Sequence, residues 1–415
     1  MSSTHFHVVK HTIDASHIRQ YPRATANSQE EVLKLVIKQY IPKNNPDPQP
    51  GDVTIIGAEG GGVPKELYEP IWDDILDQAS AHGFRIRSIW MADMAWQGES
   101  GLVNKGKLGN DPSWADAERD IYQMINHFRL PAPMVGIGHS LGAAVLAGVS
   151  LLHPRLFQSV LILEPIVGVW DCEANGTAVM LYSATRHDHF PSRDAARAFF
   201  SKHPFYETWD PRIFERWLHY GLQDDPDAKP GSGAVSLVTP RDQEVFSFLR
   251  PIAQRLSKDG SALELDESRI QDFPFKERRP DEDYFYQPAA ARIYHMLQHV
   301  RPSVFYVFGG ASPANPPPAI EDLLARTGSG LGGSGGVAAG RVGHHVVEGF
   351  GHLMPMERPK ECAQHCAAWI GSEMSRWKKE EQAELQVWWS KPYAEKCVLT
   401  DQVMTWLSEG RPSKL

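Results

Sequence analysis

Ser140 is the residue of this chain best placed to attack a carbonyl carbon. It lies in Gly138-His139-Ser140-Leu141-Gly142, after the apolar run Met134-Val135-Gly136-Ile137 and before Ala143-Ala144-Val145-Leu146-Ala147-Gly148. A buried strand therefore runs straight into a helix with a serine at the joint, which is the context of a nucleophile elbow. So tight a turn strains the serine backbone and leaves no room for side chains two residues away, where Gly138 and Gly142 stand. The hydroxyl then projects at the positive end of the following helix.

Serine needs a base within hydrogen-bond reach. Late in the chain, Glu348-Gly349-Phe350-Gly351-His352-Leu353-Met354-Pro355 offers His352, with Gly351 allowing the loop to bend the imidazole back and Pro359 marking the next element. The neighbouring His344 and His345 fall inside a predicted strand. For the acid that holds the base, Glu164 closes the strand Ser159-Val160-Leu161-Ile162-Leu163, with Asp171 as the alternative. The loop Phe308 to Pro316, a second place to look, contains no carboxylate. An oxyanion calls for two backbone N–H groups. Leu141 supplies one; the loop Glu59-Gly60-Gly61-Gly62-Val63-Pro64 supplies the other, through Val63 or Gly62, since Pro64 has no N–H. That loop lacks the Gly-Lys-Ser/Thr of a phosphate-binding P-loop.

The elements that must position these residues alternate in type. Phe6 to Ala15 and Val32 to Tyr40 read as an opening antiparallel pair, and Val53 to Ile56 as a short buried strand. A helix is predicted over Glu66 to His82, a strand over Arg85 to Met91, and a helix to about Phe128 with Asp111 as N-cap. The fold class expected is α/β, a mostly parallel central sheet flanked by helices. Alternation stops near Gly168, and the Pro-, Arg- and aromatic-rich stretch to Val300 reads as an inserted helical lid. Ser192 to Ser201 and Pro211 to Tyr220 are its helices, and Trp209 and Trp217 either line an acyl site or pack its core. The expected organisation is core over 1–167, lid over 168–300, core over 301–371 and a surface-packed helical tail over 372–415.

The 415 residues carry a net charge of −9 without a long basic run, which excludes nucleic acid as a partner. The four cysteines suggest no disulfide framework. Cys362, His365 and Cys366 have the spacing of metal ligands but fall in a helical stretch, where buried helix positions are the simpler reading. No secretory signal or membrane span is expected, and the proposed chemistry needs no cofactor or metal. The sequence closes on Ser413-Lys414-Leu415, the tripeptide read by the peroxisomal import receptor, so a peroxisomal protein is expected.

Taken together, the chain resembles the fungal α/β-hydrolases of secondary-metabolite and toxin biosynthesis. The resemblance rests on Pro64 to Pro70, Gly138 to Gly142, Gly328 to Gly336, Gly351 to Glu357 and the terminal Ser-Lys-Leu. It implies a Ser-His-acid triad with the acid after the strand that follows the elbow helix, at Glu164. It also implies hydrolysis of an acyl-CoA thioester. A carboxylesterase, an acyltransferase or cyclase on the same triad, and a non-catalytic metabolite binder are the alternatives. Two positions depart from the family pattern: Glu164 stands where aspartate is commoner, and Glu59 where related chains carry histidine.

Overall fold

A computed structural model describes residues 2–168, 176–250, 254–261, 263–266 and 287–409. The opening hairpin pairs β1 (Phe6–Asp14) with β2 (Lys34–Pro42), and β3 (Val53–Ala58) follows as a wholly buried strand. A 3-10 turn at Lys65–Tyr68 leads into α1 (Glu69–Ala79), so the helix predicted from Glu66 to His82 is shorter and starts in tighter winding. Next come β4 (Ile86–Ala92), α2 (Gly98–Val103) and α3 (Trp114–Phe128). Ser113, not Asp111, caps α3 by accepting the Ala115 N–H. Asp111 is drawn instead into an ion pair with Arg250, 139 residues away, a partner that local spacing cannot reveal. The elbow follows as β5 (Met134–His139), α4 (Leu141–Leu152) and β6 (Ser159–Leu163).

The inserted segment is mixed rather than purely helical. It contains α5 (Gly176–Thr185), β7 (His189–Phe190), α6 (Arg193–Phe200), α7 (Pro204–Glu207), α8 (Pro211–Tyr220), β8 (Leu222–Asp224), β9 (Val235–Leu237) and α9 (Arg241–Phe246). Strands β7, β9 and β8 form a small antiparallel sheet, because Val235 and Leu237 alternate inward onto the aromatic cluster of Phe190, Phe200, Tyr206, Trp209 and Trp217. Trp209 and Trp217 are buried in that cluster, packing the segment's own core. A hairpin, β10 (Gln254–Leu256) and β11 (Leu263–Leu265), and α10 (Pro288–Met296) complete it.

The core resumes with β12 (Ser303–Gly309), α11 (Pro317–Arg326), β13 (Val342–Val347), α12 (Met354–Glu357) and α13 (Pro359–Trp377). The eight-stranded sheet has the order β1-β2-β4-β3-β5-β6-β12-β13, antiparallel at β1-β2-β4 and parallel from there on. Near-continuous apolar strands such as β3, β5, β6 and β12 follow from burial on both faces. The carboxyl ends of β3, β5, β6 and β12 therefore lie side by side.

The tail departs from expectation. Helix α13 runs through Ser372 to Trp377 and buries Met374 and Trp377. Beyond it, a π-helical turn of charged and polar residues (Lys378–Gln382) has nothing to bury. The helices α14 (Ala383–Ser390), α15 (Tyr393–Lys396) and α16 (Asp401–Ser408) bury none of their residues either. No helix among the described residues is long and apolar enough to cross a membrane.

Candidate active site

Ser140 sits between β5 and α4 at φ 55° and ψ −119°, a left-handed conformation that a serine adopts only under constraint. The constraint is visible in its neighbours. A side chain at Gly138 would meet the Gly142 carbonyl at 2.6 Å, and one at Gly142 would strike the Ala58 and Glu59 carbonyls at the end of β3. The elbow's second glycine is thus demanded by the adjacent strand as well as by the turn. The Ser140 N–H is tied to the Leu163 carbonyl at 2.9 Å.

The structure brings Ser140, His352 and Glu164 together. His352 Nε2 lies 2.8 Å from Ser140 Oγ, and His352 Nδ1 lies 3.2 Å from Glu164 Oε2. Glu164 itself is at φ 46° and is completely buried. Its carboxylate also accepts the Gly309 N–H at 2.6 Å, the Ser312 hydroxyl at 2.7 Å and the Asn315 amide at 3.1 Å. The longer glutamate therefore spans the gap to the base while resting on the loop after β12. That loop has no carboxylate, yet it supplies three donors. They are one backbone N–H, at Gly309, and two side chains, Ser312 and Asn315, that nothing in the sequence sets apart from other loop residues. Asp171 lies outside the described residues.

The loop 59–63 carries further contacts that sequence reasoning missed. The Gly62 N–H donates to Gln97 Oε1, so it is already engaged. The Val63 N–H makes a long turn bond of 3.3 Å to the Gly60 carbonyl. Gly61 and Leu141 N–H have no hydrogen-bond partner among the described residues. From above, the Phe248 ring lies against Gly61 and the Glu244 carboxylate against Gly62, with Glu244 paired to Arg186 and Ser183.

Glu59 points down and away from this loop, fully buried. Its Oε1 accepts the Met94 N–H at 2.8 Å, and it shares a side-chain hydrogen bond with Asp93. Burial first, and then the Asp93 charge, push the Glu59 carboxyl well above the usual carboxylate range, so it is held neutral. Burial also raises the Asp93 carboxyl, but Asp93 is the member of the pair that faces the cation, anchored by Lys65 Nζ at 2.5 Å and by the Lys65 and Glu99 N–H groups. A neutral Glu59 exerts no charge on the loop above it.

A second histidine completes the site. His139 is buried beside the nucleophile; burial, then the neighbouring His352, lower its pKa to about 3. Its Nδ1 is 2.8 Å from the Tyr68 hydroxyl, which in turn accepts the Gly60 N–H at 2.9 Å. Its Nε2 is 3.0 Å from the His352 carbonyl. For a neutral imidazole these contacts have one consistent direction: Tyr68 O–H donates to Nδ1, and Nε2–H donates to the His352 carbonyl. A chain of hydrogen bonds therefore links the loop after β3 to the loop that carries His352.

This sheet order, the elbow after β5 and the acid and histidine loops that converge on it define an α/β-hydrolase. The chain belongs to the family of the type I acyl-CoA thioesterase mpaH' of Penicillium brevicompactum, to which it is 37% identical over 405 residues, covering 92% of this chain and 91% of that one. The abhydrolase domain-containing protein AFT2-1 of Alternaria alternata is 29% identical over 240 residues, 57% of this chain and 83% of the relative. Among solved structures, the peroxisomal α/β-hydrolase Lpx1 of Saccharomyces cerevisiae superposes with a TM-score of 0.69 at 16% identity, covering 98% of this chain and 96% of Lpx1. E-2-(acetamidomethylene)succinate hydrolase gives 0.55 at 14% identity, over 88% and 99% of the two chains. No protein-family model matches. The protein is an ester or thioester hydrolase with a small-molecule substrate.

Proposed function

We propose that this hydrolase cleaves an acyl-CoA thioester of a fungal secondary metabolite through Ser140, His352 and Glu164. One observation carries the reading: the 2.8 Å contact of Ser140 Oγ with an imidazole whose other nitrogen faces a buried carboxylate. With Nδ1 protonated toward Glu164, the Nε2 lone pair is directed at the serine hydroxyl. His352 takes the Ser140 proton as Oγ bonds to the thioester carbon, and the carbonyl electron pair moves onto oxygen. That oxyanion is held by the N–H of Leu141 and by one from the loop 60–63. Val63 is the loop donor if its long turn bond yields to substrate; Gly61, whose N–H is unengaged, is the second reading. Collapse breaks the carbon–sulfur bond, and His352 gives the proton it took from Ser140 to the departing sulfur, so CoA leaves as the thiol and the imidazole is again neutral. Water, deprotonated by His352, then attacks the acyl-Ser140 ester; the acid departs and Ser140 regains its proton.

The thioester is favoured over an oxygen ester by the 37% identity to an acyl-CoA thioesterase. The closing Ser413-Lys414-Leu415 supports import into the peroxisome by the receptor for that tripeptide, although these residues lie outside those described. A fluorescent protein fused ahead of Met1 should enter peroxisomes and stay cytosolic when Leu415 is deleted; equal distribution of the two would refute the assignment. For the chemistry, the purified protein is incubated with a panel of acyl-CoAs, free thiol is followed, and acyl-Ser140 is trapped by mass spectrometry. Ser140→Ala should lose more than about 10⁴-fold in turnover. Turnover of simple esters alone points to a carboxylesterase, and transfer products in place of the free acid point to an acyltransferase. Failure to turn over or label with any thioester would sink the proposal.

A further inference from the structure

The run Cys362-Ala363-Gln364-His365-Cys366 divides once it is folded into α13. Both cysteines turn into the core and are buried there, with Cys362 Sγ against Met354 Sδ at 3.1 Å. His365, one position before Cys366, turns sideways to the edge strand β13. Helix α13 passes along that strand so that the Trp369 ring covers Gly343 and the His365 ring covers His345. The two imidazoles are stacked, with centroids 3.5 Å apart and planes 16° from parallel. Glu361, one helical turn before His365, places Oε1 3.3 Å from His345 Nε2. His365 has no hydrogen-bond partner among the described residues, so both its ring nitrogens are available.

We propose that His345, Glu361 and His365 form a binding site for a first-row divalent transition metal such as Zn²⁺, Co²⁺ or Ni²⁺. Each residue offers one donor atom, and the three atoms lie within 4.8 Å of one another. Bonds of about 2.1 Å place two donors at most about 4.2 Å apart across a metal, so rotation of half-exposed side chains must draw them together and open the ring stack. Two imidazoles and one carboxylate suit borderline ions; Mg²⁺ and Ca²⁺ prefer all-oxygen shells. The His345 and Glu361 side chains keep 28% and 37% of their exposure, which gives the ion a path in and leaves its remaining positions to water. The spacing also assigns a consequence. Glu361 and His365 belong to the helix, whereas His345 belongs to the outermost strand of the sheet. A bound ion therefore pins the sheet edge to α13. None of the three residues belongs to the Ser140 constellation, so the proposal stands or falls independently of the thioesterase reading.

The test uses full-length, tag-free protein stripped with a chelator and then dialysed free of it. Titration with Co²⁺ should show one saturable site with d–d absorption, and Zn²⁺ should displace the Co²⁺ while a large excess of Mg²⁺ does not. His345→Gln and His365→Gln should each weaken binding at least ~100-fold, and Glu361→Gln ~10-fold or more. Saturating Zn²⁺ should raise the melting temperature of the parent by roughly 3 °C and leave that of His365→Gln unchanged. Far-UV circular dichroism in chelator checks that each variant folds, and Glu361→Gln, in the half-exposed first turn of α13, serves if a histidine variant does not. Absence of a saturable site, or a site kept intact in the folded variants, would overturn the assignment.

Discussion

Two glutamates follow the strands on either side of the nucleophile strand, and they are built for opposite tasks. Glu59 follows β3 and Glu164 follows β6, with β5 and Ser140 between them, and neither carboxyl is exposed. Glu164 meets four donors: a backbone N–H, a hydroxyl, an amide and the His352 ring. That is the environment of an acceptor carboxylate. Glu59 meets one N–H and a neighbouring carboxylate, so it keeps its proton. Burial alone thus does not decide what a buried acid does beside an active serine. The number of donors aimed at it does, and here the surrounding loops put that number high on the histidine side and low on the oxyanion side.

The largest effect that would break this contrast is on the Glu164 side. Glu164→Gln keeps the size but presents an amide to His352, which favours the wrong tautomer. The turnover number should fall on the order of 10⁴-fold, with a far smaller change in KM. Steady-state kinetics on the best thioester checks it; a loss of less than tenfold would place the acid elsewhere. Next comes the bridge between the two sides. His139→Leu removes both the donor to the His352 carbonyl and the acceptor for Tyr68. A base displaced by about 1 Å costs on the order of 10²-fold in turnover, with KM little changed. His139→Gln, which can still donate to that carbonyl, should recover part of the loss; equal loss in both variants would mean only a packing role. Tyr68→Phe, which loosens the loop end of the same chain, should cost only ~5–10-fold, the worth of one neutral hydrogen bond.

His139 also carries a stability signature. Its pKa falls from the ordinary 6.5 to about 3 on folding, so between those values the unfolded chain binds the extra proton. Its contribution is fully present above about pH 6.5 and is lost as pH falls toward 3, at up to about 1.4 kcal/mol per pH unit. Urea midpoints between pH 7 and pH 4.5 should fall more steeply for the parent than for His139→Leu.

How much of this was legible beforehand follows the range of each interaction. The parallel core could be read because strands buried on both faces are apolar throughout, as β5 and β6 are. The elbow could be read because its glycines, strand and helix are contiguous. Glu164 could be nominated because it closes a strand. Its supporting donors could not, since Ser312 and Asn315 are 148 and 151 residues away and unremarkable in a loop. The same holds for Tyr68, 71 residues from His139. Asp111 looked like a helix cap until a distant arginine claimed it. The insertion looked helical because strands of two or three residues, as in β7, β8 and β9, are too short to show alternation. The tail's apolar residues suggested packing, but periodicity shows that a helix has a face, not what that face meets.

The finest test of the contrast is at Glu59, because there the expectation for activity is almost no change. Glu59→Gln is the nearest mimic of a protonated glutamate: its carbonyl can keep the Met94 N–H and its amide can donate to Asp93. Turnover should stay within about twofold, since a neutral group is exchanged for a neutral group. Stability should change, and in a direction that depends on pH. A carboxyl whose pKa is raised on folding stabilises the native state fully below the unfolded value, near 4.5, and less with each step above it, because the unfolded chain releases a proton the folded chain retains. Glutamine carries no such dependence. The variant should therefore gain on the parent as pH rises from 5 to 9, at up to about 1.4 kcal/mol per unit while the folded carboxyl stays protonated. Urea midpoints measured for both proteins at pH 5, 7 and 9 would show the gap widening. A gap independent of pH would mean that Glu59 is ionised in the native state, and that the two strand ends differ less than their donor counts imply.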